Sequence, residues 1–197
     1  MPGFGVKELE QIVQLAGLEL EREDRLIAGS FATNSVYHGH GSDLVPGICY
    51  LKNERYYQRV VARALLPAFP YRVHLEDPRR GAYIDFALYS GGSTDAVALG
   101  EMKLWMGTGE SDINKIRDDM NKLANEPCGQ FLVVLAISHR GKTDQDVQDL
   151  LKKLGCPDKP KSLYRFGTKF FPGGNSPITD GEFAVLGVRL KEEGAAA

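Results

Sequence analysis

Hydrophobic and polar positions follow two different periods along this chain. Val6, Leu9, Ile12, Val13 and Ala16 recur at helical spacing, and Gly17 reads as the C-cap of that helix. A second short helix is predicted over 23–28, followed by an irregular polar segment over 30–47 with Tyr37-His38-Gly39-His40-Gly41 at its centre. Residues 53–66 form the clearest helical pattern of the first half. Tyr57, Val60, Val61, Ala64 and Leu65 make its apolar stripe, Asn53 suits the N-cap, and Pro67 and Pro70 punctuate the end. Glu54 falls three before Tyr57 and seven before Val61, so it projects toward the buried side. Arg55, Arg59 and Arg63 form a basic ridge on another face.

The period then changes to two. Residues 71–76 alternate, 77–81 (Asp-Pro-Arg-Arg-Gly) read as a turn, and 82–89 read as a second strand. Residues 90–95 are a second turn and 96–105 a third strand. After a flexible link over 107–111, a helix is predicted over 112–125, with Ile113, Ile116, Met120 and Leu123 on its inner face. Residues 130–138 are almost continuously apolar, as suits a central strand covered on both faces. A helix over 143–154 with Thr143 as N-cap, and strands over 162–171 and 182–190, complete the pattern; 195–197 read as a frayed tail. A helix between the third and fourth strands makes a crossover. The expected fold class is therefore α/β, a mixed central sheet with helices on both faces. One domain spans 1–197: an N-terminal extension over 1–50, a core over 53–138, and a C-terminal helix and two strands over 139–197.

Composition adds bounds. At 43% hydrophobic and 25% charged, 197 residues suit a globular domain with a sizeable core. The formal net charge of −2 argues against a surface that coats nucleic acid all over, while leaving room for a local basic groove. Three separated cysteines, Cys49, Cys128 and Cys156, with no CxxC pair, indicate reduced thiols rather than a zinc site or disulfide framework. With no secretory signal and no apolar run of membrane-spanning length, a cytoplasmic location and no membrane partner are expected.

The chemistry concentrates in two strands. Asp85 lies in Tyr-Ile-Asp-Phe-Ala-Leu-Tyr, and Glu101 and Lys103 lie in Val-Ala-Leu-Gly-Glu-Met-Lys-Leu-Trp. A charge on a buried strand is costly unless it is paired or holds a metal. Glu101 and Lys103 are two apart and share a face, and the meander can bring Asp85 beside Glu101. Two carboxylates suit Mg²⁺, which takes hard oxygen ligands and keeps several waters. The Met102 carbonyl, between the two motif side chains, is a further candidate ligand, and Glu54 a third carboxylate acting through water. Lys103 would orient or activate the attacking water, or stabilise charge on a phosphate. The plain alternative is an ordinary ion pair of Asp85 or Glu101 with Lys103. Arg55, Arg59, Arg79, Arg80 and Lys115 are candidates for phosphate contacts, as are Arg63, Arg140 and Lys142. Tyr83 and Trp105 flank the motif, as core residues or as stacking platforms for bases. His38, His40, His74 and His139 are too scattered for a metal triad, and no GxSxG nucleophile motif occurs.

These residues, in a helix, meander, helix, strand order over 53–138, resemble the PD-(D/E)XK nuclease superfamily, with its restriction-endonuclease-like fold. The family's acid of the second core strand corresponds to Asp85, its (D/E)XK signature to Glu101 and Lys103, and its helix acid to Glu54. Where the family carries a proline before the aspartate, this chain has Ile84. The resemblance implies an Mg²⁺-dependent deoxyribonuclease, with Mn²⁺ as a substitute, DNA as partner, and Asp85, Glu101, Lys103 and Glu54 as catalytic residues. A homodimer would supply the two sites that cutting both strands requires. The alternative is a nuclease-fold module, weak or inactive in catalysis, that binds nucleic acid or a protein. No subfamily is indicated.

Overall fold

A computed structural model describes residues 4–33, 47–48, 53–79, 82–106, 110–138, 142–170 and 179–191. The order is α1 (Val6–Thr33), α2 (Glu54–Leu65), β1 (Arg72–Arg79), β2 (Ala82–Tyr89), β3 (Ala96–Trp105), α3 (Glu110–Leu123), β4 (Gly129–Ser138), α4 (Asp144–Lys153), β5 (Lys161–Phe170) and β6 (Thr179–Lys191). The six strands form one mixed sheet in the order β1-β2-β3-β4-β6-β5. Only β3 and β4 pair in parallel, and α3 is the crossover between them. Among the described residues, no helix is long and apolar enough to cross a membrane.

The sheet is covered on both faces. In β4, Phe131, Val133, Leu135 and Ile137 point into a core built with α1 and α2, while Leu132, Val134 and Ala136 point into one built with α3 and α4. Nine of the ten β4 residues are buried, which is why its sequence is apolar at every step. The Asn53 side chain accepts the Tyr56 N–H at the start of α2. Thr143 and Asp146 form a reciprocal capping box at the start of α4.

Several expectations need correction. Gly17 does not end a helix, and 23–28 are not a separate one; both lie inside the 28-residue α1, as does Ser30. A Cβ on Gly17 would come within 2.3 Å of the Tyr164 ring, so the glycine opens space for a packing partner on β5. That contact is with a residue on the fifth strand, far along the chain, and is invisible in sequence. Helix α1 packs on α2, β5 and β6, and Leu9, Ile12, Val13, Ala16 and Leu20 are core residues. Asp77, Pro78 and Arg79 are not turn residues; they continue β1, paired with Ile84, Tyr83 and Ala82. Proline is tolerated there because β1 is an edge strand. Ala64 is half-buried, and its expected place in the buried stripe is shared by Gln58 and Ala62. The Tyr37–Gly41 segment, Cys49, Arg80, His139, Arg140 and 195–197 lie outside the described residues. Cys128 and Cys156 are buried.

Candidate active site

Strands β2 and β3 pair through Leu88↔Ala98, Ala87↔Leu99 and Phe86↔Gly100, and then part. The next positions in that register are Asp85 and Glu101. Backbone N–H groups on β3 that face β2 beyond this point have lost their strand partner and need another acceptor. Two carboxylates supply it. Asp85 Oδ2 accepts the Met102 N–H at 2.8 Å, and Glu54 Oε2 accepts the Leu104 N–H at 2.9 Å. Thus the first helical residue of α2 and a mid-strand residue of β2 are both bound to β3. In an extended strand, a residue's N–H and C=O point to the same side, so the Met102 carbonyl also faces this gap.

Asp85 is further held by Gln58, whose Nε2 donates to Oδ1 at 3.0 Å and to the Asp85 carbonyl at 3.3 Å. Gln58 is only 5% exposed, so it is a fixed support. Glu101 is 1% exposed, and its Oε1 is buried with no hydrogen-bond partner among the described residues. Burial, followed by the nearby Asp85 carboxylate, pushes Glu101 up to about 8. Burial also raises Asp85, against the Met102 N–H and the Glu101 carboxyl, which both lower it.

Lys103 shares the Glu101 face. Its Nζ lies 2.8 Å from Asp119 Oδ2 on α3 and 3.2 Å from Glu54 Oε1 on α2. Burial lowers the Lys103 pKa, but its hydrogen bond to Asp119 and the charge of Glu54 outweigh that and raise it overall. Asp119 also meets Lys122 at 2.6 Å, and Lys122 reaches Glu101 Oε2 at 3.4 Å. Opposite charges therefore alternate from Glu54 through Lys103 and Asp119 to Lys122, and the path ends at the Glu101 carboxyl. Asp119 and Lys122 were missed in the sequence. A signal did exist: Asp119 stands three residues after Ile116 and four before Leu123, so an acid sits on the apolar face of α3. The same argument applied to Glu54 in α2 would have found it.

The remaining expectations divide. Asp85, Glu101, Lys103, Met102 and Glu54 converge at this parting of strands. Trp105 is 2% exposed and packs in the core, with the Lys142 ammonium 4.4 Å from its ring centroid. Tyr83 is 68% exposed and opens beside Asp85. The His74 ring lies against Tyr89 at 4.8 Å. Among the described residues, the basic side chains do not form one groove. Arg55 pairs with Glu76, Arg79 with Asp77, and Lys115 with Asp112. Arg63, the last of the expected ridge, turns to Glu19 and Glu23 of α1, because α1 packs along that side of α2. Arg59 stays exposed.

No group of three or more His, Cys, Asp or Glu side chains among the described residues is arranged to hold a metal ion. The hard oxygen donors gathered where the strands part are two carboxyls, Asp85 and Glu101, and the Met102 carbonyl. That set fits Mg²⁺, which binds through one or two carboxylates and keeps water in its other positions. The buried, unpartnered Glu101 Oε1 is the observation that favours the fit. No family model, curated protein or solved structure matches this chain.

Proposed function

We propose that this chain is a metal-dependent nuclease with a restriction-endonuclease-like core, hydrolysing phosphodiester bonds in DNA. One observation carries the reading: half-buried Asp85 and fully buried Glu101, whose Oε1 has no hydrogen-bond partner among the described residues, stand opposite each other where two strands part, with Lys103 on the same face. A buried pair of this kind is unfavourable for folding alone, and perturbed carboxyls in a cleft mark candidate functional sites.

When bound there, Mg²⁺ or Mn²⁺ would polarise the phosphoryl oxygen and lower the pKa of attacking water. Asp85 and Glu101 would hold it, with the Met102 carbonyl. Glu101 would bind it as a carboxylate, its proton passing to solvent. Asp85 keeps its orientation through Gln58 and the Met102 N–H. Lys103, charged and tethered between Glu54 and Asp119, presents an ammonium to the developing phosphate charge or to the attacking water. Glu54 acts by holding Lys103 and the Leu104 N–H.

The test is incubation of purified protein with linear, circular and single-stranded DNA, with and without Mn²⁺ or Mg²⁺. Asp85→Ala and Lys103→Ala are expected to abolish cleavage and to keep a folded circular-dichroism spectrum. Wild-type rates in either variant would overturn the reading. A second reading, a binding module of low or no activity, draws on the pairing of Arg55, Arg79 and Lys115 with acids. It predicts no metal-dependent nicking of plasmid at any cation concentration.

A further inference from the structure

We infer, resting on the nuclease reading of Asp85 and Glu101, that the substrate is single-stranded nucleic acid, with one base stacked on Tyr83 and its phosphate against Arg55. A cleft of about 480 Å³ opens beside Asp85, lined by Glu54, Arg55, Gln58, Glu76, Tyr83 and Asp85 itself. Tyr83 and Asp85 are two apart on β2 and share a face, so they stand about 7 Å apart along the strand. A base on the Tyr83 ring therefore sets the adjoining phosphate close to Asp85.

Tyr83 is the exception in its strand. Ile84 and Phe86 to Tyr89 are buried, yet the Tyr83 ring is 68% exposed. An aromatic left open at the mouth of a site is a platform for a base, and stacking tolerates any sequence because every base has a π face. The cleft exists because the β1–β2 ladder is interrupted. Leu75 pairs with Phe86 and Asp77 with Ile84, but Glu76, opposite Asp85, does not pair. Glu76 has φ 52°, in the left-handed region that few residues other than glycine adopt. Backbone strain of this kind clusters at functional sites.

The phosphate contact is available too. Arg55 and Glu76 meet at 3.1 Å, with side chains 78% and 49% exposed. An exposed pair of this kind contributes little, so a phosphate can displace Glu76 from Arg55. The cleft has the volume of a small-ligand site, which suits one nucleotide. Its lining of three acids against one arginine would repel the paired phosphate rows of a duplex, whereas a single strand can turn its base face inward.

Binding is measured by fluorescence anisotropy of a short labelled single strand and of its duplex, with Ca²⁺ replacing Mg²⁺. Wild-type protein is expected to bind the single strand more tightly. Tyr83→Ala should raise Kd about tenfold, the effect of losing one stacked base, and Tyr83→Trp should preserve it. Quenching of a 2-aminopurine placed in the strand should disappear in Tyr83→Ala and persist in Tyr83→Trp. Glu76→Gln should tighten binding several-fold by releasing Arg55. An unchanged Kd in Tyr83→Ala, no single-strand binding, or equal affinity for the duplex would overturn the inference. Its failure is separable from that of the nuclease reading: Asp85→Ala reports on cleavage, whereas Tyr83→Ala reports on binding without turnover.

Discussion

Lys103 Nζ lies 2.8 Å from Asp119 Oδ2, so the lysine of the strand motif is anchored by the helix that follows it rather than by either acid of its own sheet face. Asp119 is 5% exposed and holds both Lys103 and Lys122. Lys122 in turn leans on Glu101. The crossover helix is therefore part of the site's electrostatics as well as a cover for the sheet.

Asp119→Asn should weaken the site without touching substrate. The neutral amide leaves Lys103 held by Glu54 alone and loosens Lys122. Because both lysines keep some solvent, the stability loss should be about 1–2 kcal/mol, below that of a fully buried pair. Thermal melts measure that loss. Cleavage should fall at least tenfold in kcat with KM little changed, since Asp119 orients Lys103 and touches no substrate.

Stability of the metal-free protein should fall as pH rises. Glu101 has a folded pKa of about 8 against an ordinary carboxyl value near 4.5. The folded state therefore holds a proton that the unfolded chain has released. The contribution is fully present below about pH 4.5 and is lost as pH passes through about 8. The raised Asp85 pKa acts in the same direction. Denaturant melts between pH 5 and about 9 should show a declining midpoint, and Glu101→Gln, which cannot ionise, should flatten that decline. A wild-type midpoint constant across this range would contradict it.

Cation uptake should release a proton. At neutral pH Glu101 must deprotonate to become a ligand, so each Mg²⁺ or Mn²⁺ bound should free close to one proton, falling toward none near pH 9. Calorimetric titrations in buffers of different ionisation enthalpy give this number directly. Glu101→Gln should bind the cation more weakly and release no proton.

Gly100→Ala should damage the site from below. A Cβ there would stand 2.2 Å from the Phe131 ring, and that ring is packed by Phe4 at 5.1 Å and Phe86 at 6.5 Å. Either Phe131 or β3 must shift, at a cost of about 1–3 kcal/mol. Glu101 is the next residue, so metal affinity should drop along with the melting temperature. Gly17→Ala, which would meet Tyr164 at 2.3 Å, should cost similar stability and leave metal affinity intact. The two variants together separate global destabilisation from a local effect at the site.

The local periods carried most of the fold. The boundaries of β2 and β3 follow from apolar segments set off by turn residues, the near-continuous apolar run marks β4 as central, and Asn53 and Thr143 announce α2 and α4 as caps. These features are legible because they depend on neighbours in the chain. Where a distant residue decides, the sequence alone misleads. Gly17 resembles a helix stop and is instead a seat for Tyr164, and Asp77-Pro78 resembles a turn and instead extends an edge strand.

The same division holds at the site. Residue type and a spacing of two determined by themselves that Glu101 and Lys103 share a face, and that Asp85 could be brought beside them. Only the tertiary structure decided that β2 and β3 part after Phe86↔Gly100, and that Asp85 and Glu54 satisfy the β3 N–H groups left there. It likewise decided that α3 supplies Asp119 and Lys122, and that Arg55, Arg79 and Lys115 are each tied to a separate acid. The physical reason is that charge pairing and backbone satisfaction act over a few ångströms in space, across elements as much as 50 residues apart in the chain.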